Sequence, residues 1–174
     1  MKFSCARQRR LFAMGATLRH TPPMNIKPGD FNDPRVKALL EYHLRGMQAS
    51  SPPGHVFALD WSGLQEPGIS FFTGWKDEAL VAIGAIKDLG TGTGEIKSMR
   101  VAEGQAGKGY GKAMLLYIIA QARRRCLRRL SLETGTGKPF EAAQALYLKY
   151  GFKSGDKFGD YEKSDFNQFL HLGL

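Results

Sequence analysis

The stretch richest in potential chemistry runs through Gln105, Ala106, Gly107, Lys108, Gly109, Tyr110, Gly111 and Lys112. Glycine at every second position lets successive backbone N–H groups turn toward one ligand. The run stands between a strand pattern and an amphipathic helix pattern, so the helix N-terminus adds its partial positive charge. Together these predict an anion site, with phosphate the expected guest and Lys108 and Lys112 reinforcing it. A tight glycine turn that holds no ligand is the alternative. Two phosphate signatures fail. The pattern GxxxxGK[ST] needs a glycine where Ala102 stands and a hydroxyl residue where Gly109 stands. The pattern GxGxxG fails on spacing, and Arg128 and Arg129 occupy the region where a ribose-binding acid belongs. Nucleoside triphosphates and dinucleotides are disfavoured.

Other reactive side chains show no shared pattern. His20, His43, His55 and His171 are scattered without H-x₃-H or HExxH spacing, so no metal site is expected. Cys5 and Cys126 form neither a CxxC pair nor a disulfide framework, which points to a reducing compartment. Cys126 falls on a predicted helix, where buried packing is expected.

The elements that must position the glycine-rich run can be read from periodicity. Val36, Leu39, Leu40, His43, Leu44 and Met47 recur at helical spacing, with Asp33 as N-cap and Pro34 in the first turn. Ser50, Ser51, Pro52, Pro53 and Gly54 end that helix. In the loop that follows, Phe57, Leu59, Trp61 and Leu64 are expected to fold back onto the core. Strands are predicted at 69–75, 80–86 and 95–101, all before the glycine-rich run. A helix over 112–126 carries Met114, Leu115, Ile118, Ile119 and Ala122 on one face. Arg123, Arg124 and Arg125 sit at its negative end, as a solvated cationic terminus. A strand at 130–133, a helix at 140–150 and a strand at 166–172 complete a mixed α+β order.

The chain has 174 residues, 43% hydrophobic and 24% charged, which suits one domain with a substantial core. No apolar run approaches the ~20 residues of a membrane-spanning helix. The net charge of +9 would fit a binder of polyanions. It is unevenly placed: residues 1–23 hold five cations and no acid, leaving +4 from Met24 onward. Three readings of 1–23 compete: a transit peptide, a nucleic-acid-binding arm, or a disordered tail translated from an upstream start. The domain proper is expected to span 24–174.

The glycine-rich block resembles the signature of the GNAT superfamily of N-acetyltransferases, in which Q/R-x-x-G-x-G/A follows a strand and opens a helix. Here the strand is EIKSMRV at 95–101, followed by Ala106, Gly107, Lys108, Gly109, Tyr110 and Gly111. A second block, an apolar residue and tyrosine followed by GF, is matched by Leu146, Tyr147, Gly151 and Phe152. Both blocks have the family's order and spacing, and within it they look most like a group of small, largely uncharacterised bacterial acetyltransferases. The resemblance implies a twisted, mostly antiparallel sheet of six to seven strands flanked by about four helices. It also implies acetyl-CoA as co-substrate, with its pyrophosphate on the amides of Gly107 to Lys112 and its pantetheine arm along Met99, Arg100 and Val101. By the same resemblance Tyr147 is the general acid, and Glu95 or Glu133 the base. Packing for the tyrosine and solvation for the glutamates are the competing readings. Two positions depart from the family pattern: Ala106 replaces an Arg or Gln, and Phe140 replaces an asparagine that contacts the pantetheine arm.

These features imply a cytoplasmic enzyme that moves acetyl from acetyl-CoA to an amine of a small molecule. No membrane or metal is involved, nucleic acid is disfavoured, and homodimers are common among relatives. The alternatives are a basic nucleic-acid-binding module and a non-catalytic CoA-binding member of the family.

Overall fold

Phe71 and Phe72 are neighbours in the chain and both are buried, yet each belongs to a different core. Side chains alternate across a strand, so a strand with both faces apolar must be covered on both sides. The computed structural model describes residues 23–174 and shows that layering. The expectations for residues 1–22 lie outside the described residues.

One sheet holds β1 (Asn25–Pro28), β2 (Ile69–Lys76), β3 (Ala79–Asp88), β4 (Thr93–Val101), β5 (Arg129–Gly135), β6 (Lys153–Ser154) and β7 (Asn167–Gly173). Their order is β1-β2-β3-β4-β5-β7-β6. Every neighbouring pair is antiparallel except β4 and β5. Helix α1 (Pro34–Ser50) covers one face, packing Val36, Leu39 and Leu40 with Phe71, Trp75 and Ile83. Helices α2 (Tyr110–Arg124) and α3 (Glu141–Lys149) cover the other, where Met114, Leu115, Ile118 and Tyr147 join Phe72, Val81 and Ile86. The fold is the expected mixed α+β one.

Local signals explain most of the boundaries. The Asp33 carboxylate accepts the Arg35 backbone N–H at 2.9 Å, capping α1 as its sequence predicts. Helix α2 starts two residues before the predicted position, because Gly109, at φ 88°, turns the chain directly into it. Three α-helices are present among the described residues, rather than about four. Residues 51–68 include Pro52, Pro53, Gly54, Gly63, Pro67 and Gly68, which leave room only for a 3₁₀ turn at Gly63–Gln65. That turn buries Leu64, as the fold-back expectation requires.

Strands β1 and β6 escaped the sequence reading, since four and two residues offer no usable alternation. Cys126 is a correction. It lies beyond the end of α2 at φ 58°, exposed rather than buried, because the helix stops before reaching it.

Candidate active site

Strands β4 and β5 pair over only three positions, Thr93 with Arg129, Gly94 with Leu130 and Glu95 with Ser131. Beyond Glu95 and Ser131 the two strands separate, and β4 continues paired only with β3. Their divergence opens a cavity of about 290 Å³. Its walls include β4 from Ile96 to Arg100, β5 from Leu132 to Thr134, His43 and Gly46 of α1, and Phe140 and Tyr147 at the α3 end.

A bulge in β4 determines which side chains reach each wall. Ile83 pairs with Arg100 and Ala85 with Lys97, so Ser98 and Met99 together oppose Gly84. Ser98 takes the left-handed φ of 51°. The extra residue inverts the alternation. Ile96, Met99 and Val101 pack toward the α2 core, whereas Arg100 turns to α1. The Arg100 guanidinium lies 4.7 Å from the Tyr42 ring centroid and against Gly46.

The two candidate bases occupy different environments. Glu133 lines the cavity, and burial pushes its carboxyl up to about 7, with the charge of Lys97 opposing and that of Glu95 adding to the rise. Glu95 is 3% exposed and is not among the cavity-lining residues. It accepts a short hydrogen bond from the Tyr161 hydroxyl and pairs with Lys97 Nζ at 3.3 Å. Lys97 also donates to the Phe57 carbonyl at 2.8 Å and to Tyr161 Oη at 2.6 Å. Every polar group of this buried cluster is therefore engaged, which a buried ion pair requires.

Tyr147 is buried at the opposite wall, where its hydroxyl donates to Met99 Sδ at 3.7 Å. Burial raises its phenol pKa, so it carries its proton at neutral pH. His43 is also buried, and its Nδ1 lacks a hydrogen-bond partner. Burial, then the charges of Arg100 and Lys97, lower its pKa to about 4, leaving a neutral imidazole at pH 7.

The glycine-rich turn reaches α2 from the end of β4. Gly104, Gly107 and Gly109 all take positive φ, and a Cβ at Gly104 or Gly107 would meet nothing within 4 Å. The turn is thus open where those Cβ atoms would sit, with the N-terminal N–H groups of α2 behind it and no acidic residue in the first helical turn. Lys108 Nζ donates to Gln105 Oε1 at 3.0 Å, so Gln105 is tied back to the turn itself. Tyr110 is buried beneath it, and a Cβ at Gly111 would lie 3.4 Å from Val101, fixing the turn closely onto β4. Phe140 packs edge-on against Phe166 and fills the space above Gly135.

Tyr147, Glu133, Met99 and Arg100 come together at one cavity; Glu95 stands behind its β4 wall, and the amides of 107–112 stand beyond the end of β4. Lys97, Tyr161 and the Arg100 side chain escaped the sequence reading, which placed His43 on the apolar face of α1 but gave it no part in a site. No helix among the described residues is long and apolar enough to cross a membrane, and no group of three or more metal-ligating side chains occurs among them.

Comparison with known proteins agrees with this architecture. The chain is 44% identical over 149 residues to the uncharacterized N-acetyltransferase YedL of Escherichia coli K12, covering 86% of this chain and 94% of that protein. It is 40% identical over 147 residues to the uncharacterized N-acetyltransferase YsnE of Bacillus subtilis 168, covering 84% and 97%. In fold it is similar to a Bacillus subtilis acetyltransferase solved in complex with CoA, with a TM-score of 0.64 at 20% identity and coverage of 87% and 99%. The acetyltransferase (GNAT) family profile matches residues 36–152, spanning α1 through the residue after Gly151, and with these relatives it establishes that the chain belongs to that family.

Proposed function

We propose that this protein transfers the acetyl group of acetyl-CoA directly to an amine of a small molecule. The observation that carries the reading is that Glu133 and Tyr147 line one cavity at the divergence of β4 and β5. A proton acceptor with a pKa near neutrality and a protonated donor thus flank a single reaction space.

The residues present fit the co-substrate. The glycine-rich turn at 107–109, with open space beside Gly107, and the first turn of α2 suit a diphosphate, with Lys108 adding charge. The edge of β4 that β5 leaves free, at Met99, Arg100 and Val101, suits the amide-bearing pantetheine arm by strand addition. These contacts depend on backbone groups, so the Ala106 and Phe140 departures leave them intact. When bound, acetyl-CoA supplies an activated acyl carbonyl.

Glu133, ionised above pH 7, takes a proton from the acceptor's ammonium. The freed amine forms the C–N bond while the C–S bond breaks. A backbone N–H of β4 near the bulge would stabilise the carbonyl oxygen as it gains negative charge. Tyr147 directs its hydroxyl proton at the departing sulfur, in place of its weak bond to Met99 Sδ, and regains a proton from the second one that the nitrogen sheds as the amide forms. Glu95, held by Lys97 and Tyr161, supports this wall rather than taking the proton. A cytoplasmic setting belongs to this reading, since the acyl donor is a metabolite of the cell interior.

The test is thiol release from acetyl-CoA across a panel of small amines, preceded by thermal stabilisation with acetyl-CoA or CoA. Absence of stabilisation by both, with salt-dependent retention on DNA or RNA, would return the basic-module alternative. Stabilisation without turnover on a broad amine panel would favour the non-catalytic CoA binder.

A further inference from the structure

The charges at the cavity are not all paired with one another. Lys97 is matched by Glu95 and has two further oxygen partners. His43 lies between two cations and is neutral at pH 7. Arg100 has neither a carboxylate partner nor a hydrogen-bond acceptor for its guanidinium among the described residues, and only the Tyr42 ring covers it. It is half-buried in the cavity wall, and two local features hold it there. The β4 bulge aims it at α1, and Gly46 makes room for it, since a Cβ at that position would lie 3.3 Å from Nη2. Glu133, on the β5 wall, is not in ion-pair contact with it. One cavity therefore presents a separated cation and carboxylate.

We propose that the acceptor is an amino acid or a similarly small amine bearing a carboxylate, which Arg100 binds while its ammonium faces Glu133. This deepens the acetyltransferase reading and rests on it. A guanidinium fork matches a planar carboxylate with two parallel hydrogen bonds, and partial burial strengthens them. A phosphate dianion would call for more than one uncompensated cation, and among the described residues lining the cavity Arg100 alone lacks an anionic partner. The volume of about 290 Å³ is at the small end for ligand sites, in keeping with a compact zwitterion.

The experiment compares amino acids with the same molecules lacking the carboxylate. Thiol release is measured for L-phenylalanine against phenethylamine, L-leucine against isopentylamine and L-methionine against 3-(methylthio)propylamine. The proposal expects a higher kcat/KM for the amino acid in at least one pair by about 10- to 100-fold, the scale of one charge-assisted hydrogen-bonded contact. Arg100→Gln brings that ratio close to one, through a loss borne by the amino acid and not by its carboxylate-free analogue. Gly46→Leu, which keeps the charge but fills the space it needs, lowers the ratio in the same direction. Equal use of both members, or an equal loss of both in Arg100→Gln, overturns the proposal and leaves acetyl transfer standing. Protein that acetyl-CoA stabilises but that acetylates no amino acid overturns it as well. Protein that neither acetyl-CoA nor CoA stabilises shows instead that the underlying acetyltransferase reading has failed.

Discussion

The Tyr147 hydroxyl donates to Met99 Sδ at 3.7 Å, so the phenol already addresses a sulfur atom across the cavity wall. A bond of that length to a thioether is weak and readily exchanged for a better acceptor. Tyr147→Phe should therefore cost less than about 1 kcal/mol of stability. Its effect on turnover should be much larger, a fall in kcat of about 10²-fold or more, the lower range for a positioned proton donor. Steady-state kinetics with saturating acetyl-CoA measure it, and unchanged kcat would remove Tyr147 from the mechanism.

Glu133 should set the acid limb of the pH profile. With its carboxyl pushed up to about 7, kcat/KM should rise tenfold per pH unit below neutrality and level off above it. Glu133→Gln should abolish that limb and reduce turnover by about 10²-fold or more. Stability should move the opposite way. A raised folded-state pKa means that the folded protein binds the extra proton between the unfolded value and about 7, so ionisation costs stability as pH rises through that window. Allowing for solvent screening of a partly exposed group, Glu133→Gln should be more stable than the wild type at pH 8 by on the order of 1 kcal/mol. Thermal melts at pH 5 and pH 8 check the sign.

How much of this was legible in advance depended on the length of the local signal. The glycine-rich run and the α2 stripe are legible because helix periodicity and turn chemistry are local, whereas Tyr147 is marked only by the family resemblance. The two glutamates could not be ranked from sequence, since each lies at one end of a predicted strand with solvation as an equally open reading. Burial and partners separate them, and Tyr161, the partner that engages Glu95, comes from an irregular loop more than sixty residues away. Arg100 was hidden differently. Strict alternation puts it on the face of Ile96, and only the one-residue bulge at Ser98 and Met99 turns it to α1.

The Glu95–Lys97 pair should matter more to stability than to chemistry. Glu95→Ala leaves Lys97 buried without its counter-charge, so a loss of about 3–5 kcal/mol is expected. Denaturant melts measure it. At a temperature where the variant remains folded, the limb near pH 7 should persist. Its disappearance would return Glu95 to the role of base.

His43 supplies an acid-sensitive term of the other sign. Its folded pKa of about 4 is below the unfolded value, so the unfolded chain binds a proton first as pH falls. Stability should fall by about 3 kcal/mol between pH 6.5 and pH 4 from this group. His43→Gln should flatten that part of the stability curve, even if it lowers the plateau. An unchanged slope would show that the imidazole does not resist protonation.

Gly109 should be intolerant of a side chain on conformational grounds alone. At φ 88° as the residue before α2, it occupies a region that costs an L-residue about 1–2 kcal/mol. Gly109→Ala should reduce stability by that amount and raise the KM for acetyl-CoA, because relaxing the strain moves the amides beside it. Kinetics with varied acetyl-CoA give the second number.

The three-position seam between β4 and β5 makes the sheet mechanically two plates, β1 to β4 and β5 to β7, joined along one short edge. Joined plates can flex about such an edge more easily than a fully laddered sheet can. Anything that lies along the open side of β4 braces the wedge between them. Occupancy should therefore be readable as slower amide exchange in the strands bordering the wedge, so the molecule's stiffness would itself report whether its site is filled.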